Sequence, residues 1–288
     1  MKALFDESDA TGIAAAIRSG EVSAREVVEF ALARIDERNG LLNAVIARRD
    51  DAALAEVDAG LPDGPLTGVP IVIKDLGATV AGMPATNASR LFDGVIATED
   101  SELVARYRRA GAVVVGMTNT PELGRNASTE PQLYGPTRNP YRLTHSPGGS
   151  SGGTAAAVAA GMVPVGHGND GGGSIRIPAS ACGLVGLKPS RGRTPGSPRY
   201  TAMAYPLGIN HGLTRTVRDS ALLLDVAQGP MCGDPYVIPL PARPYVDEVG
   251  ASPGRCRVAV SFTMPTGDPV EPDCAAAVER ATSLLREL

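Results

Sequence analysis

The sequence predicts an α/β protein in which a mixed central β-sheet is covered by α-helices. Residues 69–73 are apolar at every position, which is typical of a strand that is buried on both faces. Residues 101–110 have a helical pattern and lead through Gly111 into a second apolar, β-rich run at 112–116. This order of strand, helix and strand favours layered α/β packing around one main core.

The N-terminal part, residues 1–60, is predicted to be mainly helical. A capping box of sequence Ser-Ala-Arg-Glu begins at Ser23, and apolar residues follow it at helical spacing. We therefore expect a helix over about 24–38. A short strand over 43–47 and a second small helix over about 51–59 follow.

Glycine is concentrated in the middle of the chain, where residues 148–186 contain 12 of the 34 glycines. We expect a helix over 154–160 and a short strand over 163–165 between two glycine clusters. Such a density of glycine indicates a backbone that turns through positive φ and approaches a ligand closely. The preceding segment, 119–141, is rich in Pro, Gly, Asn and Thr, and is expected to form loops that line the site.

The C-terminal part is predicted to contain a loop over 195–212, a helix over 217–227 and a Pro-rich linker over 235–253. A strand over 257–262 and a helix from about Asp273 are expected to follow. The apolar face of this last helix consists of Ala277, Ala281, Leu284, Leu285 and Leu288. Because an apolar face needs a cover, we expect more polypeptide to pack against it.

The composition argues against several classes of protein. A net charge of -4 and an isoelectric point near 5.5, without any Lys/Arg block, disfavour binding to nucleic acid or to an anionic membrane surface. Acidic residues interrupt the N-terminal segment, and no apolar run reaches the length of a membrane span, so we expect a cytoplasmic protein. The cysteines lack metal-ligand spacing and are expected to be reduced thiols, with no metal or other cofactor. They are Cys182, Cys232, Cys256 and Cys274.

Two serines stand in glycine clusters that suit nucleophilic catalysis. Ser174 follows three glycines, so unhindered N–H groups could converge beside its hydroxyl and receive an oxyanion. Ser150 lies in the earlier run Gly-Gly-Ser-Ser-Gly-Gly. Either cluster alone is also typical of an ordinary loop, so the interpretation depends on finding a base.

Lys74 is the strongest candidate for that base. The histidines, at positions 145, 167 and 211, have no recognisable triad context. The chain has only three lysines, and Lys74 directly follows the buried strand predicted over 69–73. Burial favours the neutral amine, which can accept a proton, whereas arginine effectively cannot be deprotonated. The alternative, a strand end whose ammonium reaches water, is disfavoured by the conjunction with the two serine clusters.

Several motifs together make the chain resemble the amidase signature hydrolases. GVPIVIKDL resembles the lysine motif of that family, and GGSSGGTAAAVAAGMVPVGHGNDGGGSIRIPAS resembles its Gly/Ser-rich signature. The likeness continues through TEPQLYGPTRNPY, CGLVGLKPSRGR and RVAVSF, so it covers nearly the whole chain. It implies one amidase signature domain over 1–288, whose central sheet lacks its C-terminal part in this chain.

The resemblance also implies a role for each matching residue. Ser174 would attack the amide carbonyl, Ser150 would relay the proton through an unusual cis peptide, and Lys74 would be the base. The oxyanion and substrate-binding positions would be Gly171, Gly172, Gly173, Gly124 and Asn126, with the N–H of Ser174 as a further donor. The supporting positions would be Ser151, Asp170 and Arg176. Two positions depart from the pattern: Gly171 stands where an apolar residue is frequent, and Asn169 where a hydroxyl residue is common.

The resemblance implies hydrolysis of a small-molecule amide, which could be linear, aryl or cyclic. Three other interpretations remain open. Residues 166–171 fit the glycine pattern of a dinucleotide-binding loop, although Pro178 would break the helix that this motif needs. The chain could be a glutaminyl amidotransferase A-type subunit, which shares the triad. It could also be a non-catalytic or split amidase, completed by a homodimer partner or by a complementary C-terminal polypeptide.

Overall fold

The computed structural model describes residues 1–196, 207–234, 236–264 and 266–287. The chain divides into two compact units, Met1–Val249 and Gly250–Leu288. Within the described residues, no helix combines the length and the apolar character that crossing a membrane requires.

The N-terminal helices agree with the predicted pattern. The capping box is formed: the Ser23 hydroxyl accepts from the N–H of Glu26, and the Glu26 carboxylate accepts from the N–H of Ser23. The predicted strand at 43–47 begins two residues later because Asn43 takes a left-handed conformation, with φ of 48°, at the end of the preceding helix. The elements are α1 (Lys2–Glu7), α2 (Ala10–Arg18), α3 (Ala24–Leu42), β1 (Val45–Arg48) and α4 (Asp50–Asp58).

The rest of the first unit completes a six-stranded mixed sheet, which confirms the predicted fold class. Its elements are β2 (Pro70–Lys74), α5 (Glu102–Arg109), β3 (Val113–Thr118), α6 (Gly152–Ala159), β4 (Val165–Asp170), α7 (Arg176–Ala181), β5 (Val185–Gly186), β6 (Ile209–Thr214) and α8 (Val217–Ala227). The strand order is β1-β3-β2-β4-β6-β5. Strand β2 is parallel to both neighbours, β3 and β4, whereas β1, β6 and β5 are paired in antiparallel fashion.

Two predicted segments were wrong in their extent. Strand β4 begins at Val165, where the strand predicted over 163–165 ends, and runs to Asp170; its glycines allow close packing, since a Cβ on Gly166 would lie 2.5 Å from the Thr154 side chain. The loop predicted over 195–212 contains the start of β6, which pairs with β4 along its length. The part of that loop at 197–206 lies outside the described residues.

The second unit contains α9 (Pro272–Glu287), which confirms the helix expected from about Asp273. The strand predicted over 257–262 is wrong, since that segment pairs with no strand among the described residues and a single segment forms no ladder. Leu288, which the sequence pattern assigns to the apolar face of this helix, lies outside the described residues.

Strands β2 and β3 are buried at every position and form the centre of the core. Helix α6 packs against β2, β3, β4 and β6, and α8 packs against β6 and α5. Lys74, the last residue of β2, therefore ends in the interior of the molecule rather than at its surface.

A buried carboxylate joins the N-terminus to helix α8. Asp219 accepts hydrogen bonds from the N–H groups of Ala10 and Thr11 at 2.8 and 2.9 Å, and from the Thr11 hydroxyl at 2.8 Å. We expect Asp219→Ala to lower the free energy of unfolding by about 3 kcal/mol, because buried donors lose a charged acceptor. Urea unfolding measures this loss. The exposed Asp63→Ala serves as control, and equal midpoints for the two variants would contradict the prediction.

Candidate active site

The candidate site lies where β2 and β4 end and α6 begins. Because β2 and β4 are parallel, Lys74 at the end of one strand and Asn169 and Asp170 at the end of the other lie at the same edge of the sheet. Ser150 and Ser151 immediately precede α6, which packs against both strands. The fold thus brings the lysine motif and the first serine cluster together.

Lys74 is fully buried, so the interpretation of it as a surface strand end is wrong. Its Nζ lies 2.6 Å from the Ser150 Oγ, 2.7 Å from the Asn169 Oδ1 and 3.1 Å from the Ser151 Oγ. Burial lowers the pKa of Lys74 well below its ordinary value of 10.5, and the negative charge of Asp170 opposes this effect only in part. The neutral amine is therefore strongly favoured relative to a lysine in water.

Asn169 is a direct partner of Lys74 that sequence reasoning noticed only as a departure from the family pattern. Its Nδ2 donates to the carbonyl of Leu76 at 2.6 Å, which leaves the Oδ1 facing Lys74. The Asn169 side chain is buried, with 3% of its surface exposed. In the sequence, the feature that could have indicated this contact with Lys74 is the place of Asn169, one residue before Asp170 in the second glycine cluster.

The two serine clusters are connected through the backbone. The peptide bond between Gly149 and Ser150 is cis, as the resemblance implied. The N–H of Ser151 donates to the carbonyl of Ser174 at 3.1 Å, which holds the second glycine loop beside the first serine cluster. The Ser174 side chain makes no hydrogen bond with any described residue, so its hydroxyl is free to meet a ligand.

The loop that carries Ser174 is held by Asp170. The buried carboxylate accepts from the N–H groups of Gly173, Ile175 and Arg176 at 2.7, 3.1 and 3.3 Å. It also accepts two hydrogen bonds of 2.9 Å from the Arg176 guanidinium. Burial acts to raise the pKa of Asp170, but these donors outweigh burial and lower it to about 2. Both residues thus have the geometry of loop supports.

The backbone donors around Ser174 are in two different states. The N–H of Gly173 is already taken by the Asp170 carboxylate. The N–H groups of Gly171, Gly172 and Ser174 donate to no acceptor among the described residues, and a Cβ on Gly172 would meet only open space. These three groups are therefore the ones available for an oxyanion, whereas the predicted contribution of Gly173 would require it to leave Asp170.

Gly124 and Asn126 belong to a loop that borders Ser150. Gly124 takes a left-handed φ of 66°, and a Cβ there would lie 2.4 Å from the Leu76 Cδ2 and 3.3 Å from the Ser150 Oγ. The main chain of Asn126 abuts Gly149, while its exposed side chain accepts from the N–H of Ser128 at 3.2 Å. A side chain at 124 would be strained at this positive φ and would displace the end of Leu76, so glycine allows this loop to approach the cis serine closely.

The histidines have structural contacts. The Nδ1 of His167 accepts from the N–H of Lys74 at 3.3 Å, and burial lowers the pKa of His167 to about 3. His211 contacts Ser220 at 3.1 Å, and burial lowers the pKa of His211 to about 4. The His145 ring contacts the neighbouring Thr144 hydroxyl. Among the described residues, no three His, Cys, Asp or Glu side chains are grouped so as to hold a metal ion.

Asp170 gives a testable dependence of stability on pH. The folded-state pKa of about 2 lies below the ordinary value of 3.8, so the carboxylate stabilises the fold above pH 4. This contribution, about 2 kcal/mol, is lost as the pH falls from about 4 to about 2. We expect Asp170→Asn to reduce the free energy of unfolding at pH 7 and to flatten its decline in acid. Urea unfolding between pH 2 and pH 7 tests this, with the exposed pair variant Glu248→Gln as control. Parallel curves for wild type and Asp170→Asn would contradict it.

Comparison with known proteins places this geometry in a family. The family model described as Amidase matches residues 26–288. The chain is 45% identical over 287 residues to the 6-aminohexanoate-cyclic-dimer hydrolase of Paenarthrobacter ureafaciens, an alignment that covers 97% of this chain and 57% of that protein. It is 42% identical to the acylamidase of Rhodococcus erythropolis, covering 97% of this chain and 59% of that enzyme.

A solved structure of 6-aminohexanoate cyclic dimer hydrolase superimposes with a TM-score of 0.92 at 43% identity. That alignment covers 97% of this chain and 59% of the solved chain, so the present chain spans a little more than half the length of these relatives. The matching family model, the identity over nearly the whole chain and the shared fold show that this chain belongs to the amidase family, the amidase signature hydrolases.

Proposed function

We propose that the chain carries the catalytic centre of an amide hydrolase that works through an acyl-enzyme on Ser174. The observation that supports this best is the 2.6 Å distance between the Lys74 Nζ and the Ser150 Oγ, deep in the core. A fully buried amine that is in hydrogen-bonding contact with a hydroxyl, and in direct contact with no carboxylate of the described residues, is suited to act as a general base.

The hydrogen-bond donors and acceptors around Lys74 favour its role as a general base. The Asn169 Oδ1 can only accept, and the Ser151 hydroxyl is directed at the carbonyl of Asn169 at 3.3 Å, so the Ser151 Oγ also accepts from Lys74. These two contacts use both N–H bonds of a neutral amine. The amine lone pair is then left for the third contact, to Ser150, which becomes the donor.

The reaction follows from this arrangement. The Ser174 Oγ attacks the amide carbonyl while its proton passes to the Ser150 Oγ, whose own proton passes to the Lys74 Nζ. The oxyanion is received by free backbone N–H groups of the glycine loop, a type of contact worth about 3 to 4 kcal/mol in the transition state. The C–N bond then breaks and the relay returns the proton to the leaving nitrogen. Water hydrolyses the ester by the same path, which releases the carboxylic acid.

The substrate is proposed to be a small-molecule amide. Two relatives point to different members of this class, since one is named for a cyclic dimer and the other for acylamides. The test is to incubate the chain, alone and together with a co-expressed C-terminal half of an amidase relative, with the cyclic dimer of 6-aminohexanoate and with an acyl anilide in water enriched in oxygen-18. We expect one heavy oxygen in the carboxylic acid product and an acyl adduct on the peptide that contains Ser174. Hydrolysis with no covalent adduct would contradict the acyl-enzyme.

We further propose that a complementary C-terminal polypeptide completes the active protein. The second unit exposes large apolar side chains that a soluble fold normally covers. They are Val258, Val260, Phe262, Met264, Leu284 and Leu285, each between 42% and 58% exposed. Light scattering after gel filtration, with and without a co-expressed C-terminal half of an amidase relative, tests this. A stable 1:1 complex is expected, and a homodimer of the chain alone would replace the proposal.

A further inference from the structure

The side chain of Asn169 links the Lys74 amine to the main chain just beyond β2. It bridges two fixed points: the Nδ2 donates to the Leu76 carbonyl at 2.6 Å, and the Oδ1 accepts from the Lys74 Nζ at 2.7 Å. Leu76 lies two residues beyond Lys74 on the same chain segment, so the amide closes a small ring with the end of β2. Its main chain is fixed as well, because the N–H and carbonyl of Asn169 both contact the Ser151 hydroxyl at 3.3 Å.

We infer that Asn169 is a positioning residue for Lys74: its carboxamide takes one N–H of the amine and thereby turns the lone pair towards Ser150. The inference rests on the proposed function, in which Lys74 is the base. A hydroxyl side chain at this position could rotate between donating and accepting, whereas an amide held at its nitrogen end presents only an acceptor to the lysine. Asn169 therefore has a defined effect on both the direction and the proton affinity of the amine.

The charged groups around Lys74 set the background for this effect. Asp170, next to Asn169 on β4, is the carboxylate whose attraction partly opposes the lowering of the Lys74 pKa by burial. The charge of Asp170 is balanced by the Arg176 guanidinium. His167 faces β2 but is neutral at ordinary pH because burial lowers its pKa to about 3. Asp75, the next residue on the chain, is directed away and accepts from the 86–88 loop. A change of charge at 169 would therefore act on Lys74 directly.

Two variants separate charge from orientation. Asn169→Asp keeps the shape and adds a negative charge in contact with the amine, so the pKa of Lys74 should rise by about one to three pH units. Asn169→Leu keeps most of the volume and removes the acceptor. The lone pair of the Lys74 amine is then no longer fixed. At alkaline pH, where the rate of Ser174 labelling by a fluorophosphonate no longer changes with pH, this rate should fall at least about tenfold, without any rise in the pKa of Lys74.

The low lysine content makes the measurement direct. Lys2, Lys74 and Lys188 are the three lysines, so carbon-13 labelling of lysine Cε gives three resonances, and Lys74→Met assigns the one of interest. Titration of that resonance gives the pKa of Lys74 without any need for activity. In parallel, the rate at which a fluorophosphonate labels Ser174 is measured against pH. The matched control is Asn139→Asp, a buried asparagine whose Nδ2 donates to the Ala181 carbonyl, which should leave the Lys74 titration unchanged.

The expected result is a raised Lys74 pKa and an equally shifted acid limb of labelling in Asn169→Asp, with a lowered plateau in Asn169→Leu. An unchanged Lys74 titration in Asn169→Asp, or a wild-type plateau in Asn169→Leu, would overturn the inference. If Asn169→Asp does not fold, Asn169→Leu tests the inference by itself, through its rate of Ser174 labelling at alkaline pH and its Lys74 titration. Absence of Ser174 labelling in the wild type when the complementary C-terminal polypeptide is present would instead count against the proposed function, while the lysine titration would still test Asn169.

Discussion

Ser174→Ala is expected to abolish acylation of the protein by an activated amide or a fluorophosphonate, by at least about 10⁴-fold relative to the wild type. The reason is that the Ser174 hydroxyl is the proposed nucleophile. Neither Ser150 nor Ser151 can replace it, since both are buried and hydrogen-bonded to Lys74. Intact-mass spectrometry after exposure to the probe measures the effect.

The matched control for this variant is Ser180→Ala, which removes an exposed hydroxyl from helix α7, directly after the same loop. This control should be labelled at the wild-type rate. Full labelling of Ser174→Ala, mapped to any other serine, would show that the nucleophile has been wrongly assigned.

Lys74→Met is expected to lower the rate of Ser174 acylation by about 10²- to 10⁴-fold, the usual contribution of a general base. Methionine keeps an unbranched side chain in the buried space but cannot accept a proton. In the wild type, acylation should rise with pH as Lys74 loses its proton, and it should level off well below pH 10.5, because burial lowers the pKa of Lys74. The acid limb due to Lys74 should be absent from Lys74→Met. Stopped-flow labelling across the pH range measures both effects.

Lys188→Met is the natural control for this experiment, since it makes the same chemical change outside the site. Lys74→Arg provides a second comparison, because a guanidinium retains a positive charge and a donor but cannot be deprotonated in this pH range. Ser174 should be acylated slowly in both the methionine and the arginine variant at position 74. Recovery of activity in Lys74→Arg would mean that position 74 acts as a cation rather than as a base.

The parts of the site that lie on regular elements could be predicted from sequence. The apolar run before Lys74 predicts a buried strand, and a buried strand with a lysine at its end leads to a buried amine, as observed. Helix α8 also follows its local signals, with Thr216 accepting from the N–H of Asp219 at its start. In both cases the pattern of a few neighbouring residues is sufficient.

The contribution of Asn169 could not be predicted in this way. The segment His167–Asp170 with its flanking glycines has low β-propensity and is typical of a loop, yet it forms the end of β4 because β6 pairs with every residue of it, while β2 pairs with the two preceding residues of β4. Whether Asn169 faces Lys74 depends on that pairing, which no local pattern encodes. The strand expected over 257–262 fails for the converse reason: its pattern suits a strand, but no described strand pairs with it.

The irregularity between β2 and β3 has a consequence for single-residue deletions. Ile71 pairs with Val114 but Val72 pairs with Gly116, so Val115 is an extra residue that shifts every later pair by one, including Lys74 with Thr118. Loss of Val115 would remove this bulge and make Val114 and Gly116 neighbours opposite Ile71 and Val72, so the later residues of β3 would keep their partners and their faces. The Thr118 hydroxyl would then keep its 2.6 Å contact with Thr154 on α6, the helix that begins just after Ser150. The bulge therefore gives β3 a position at which one residue can be lost without a change of register beside Lys74.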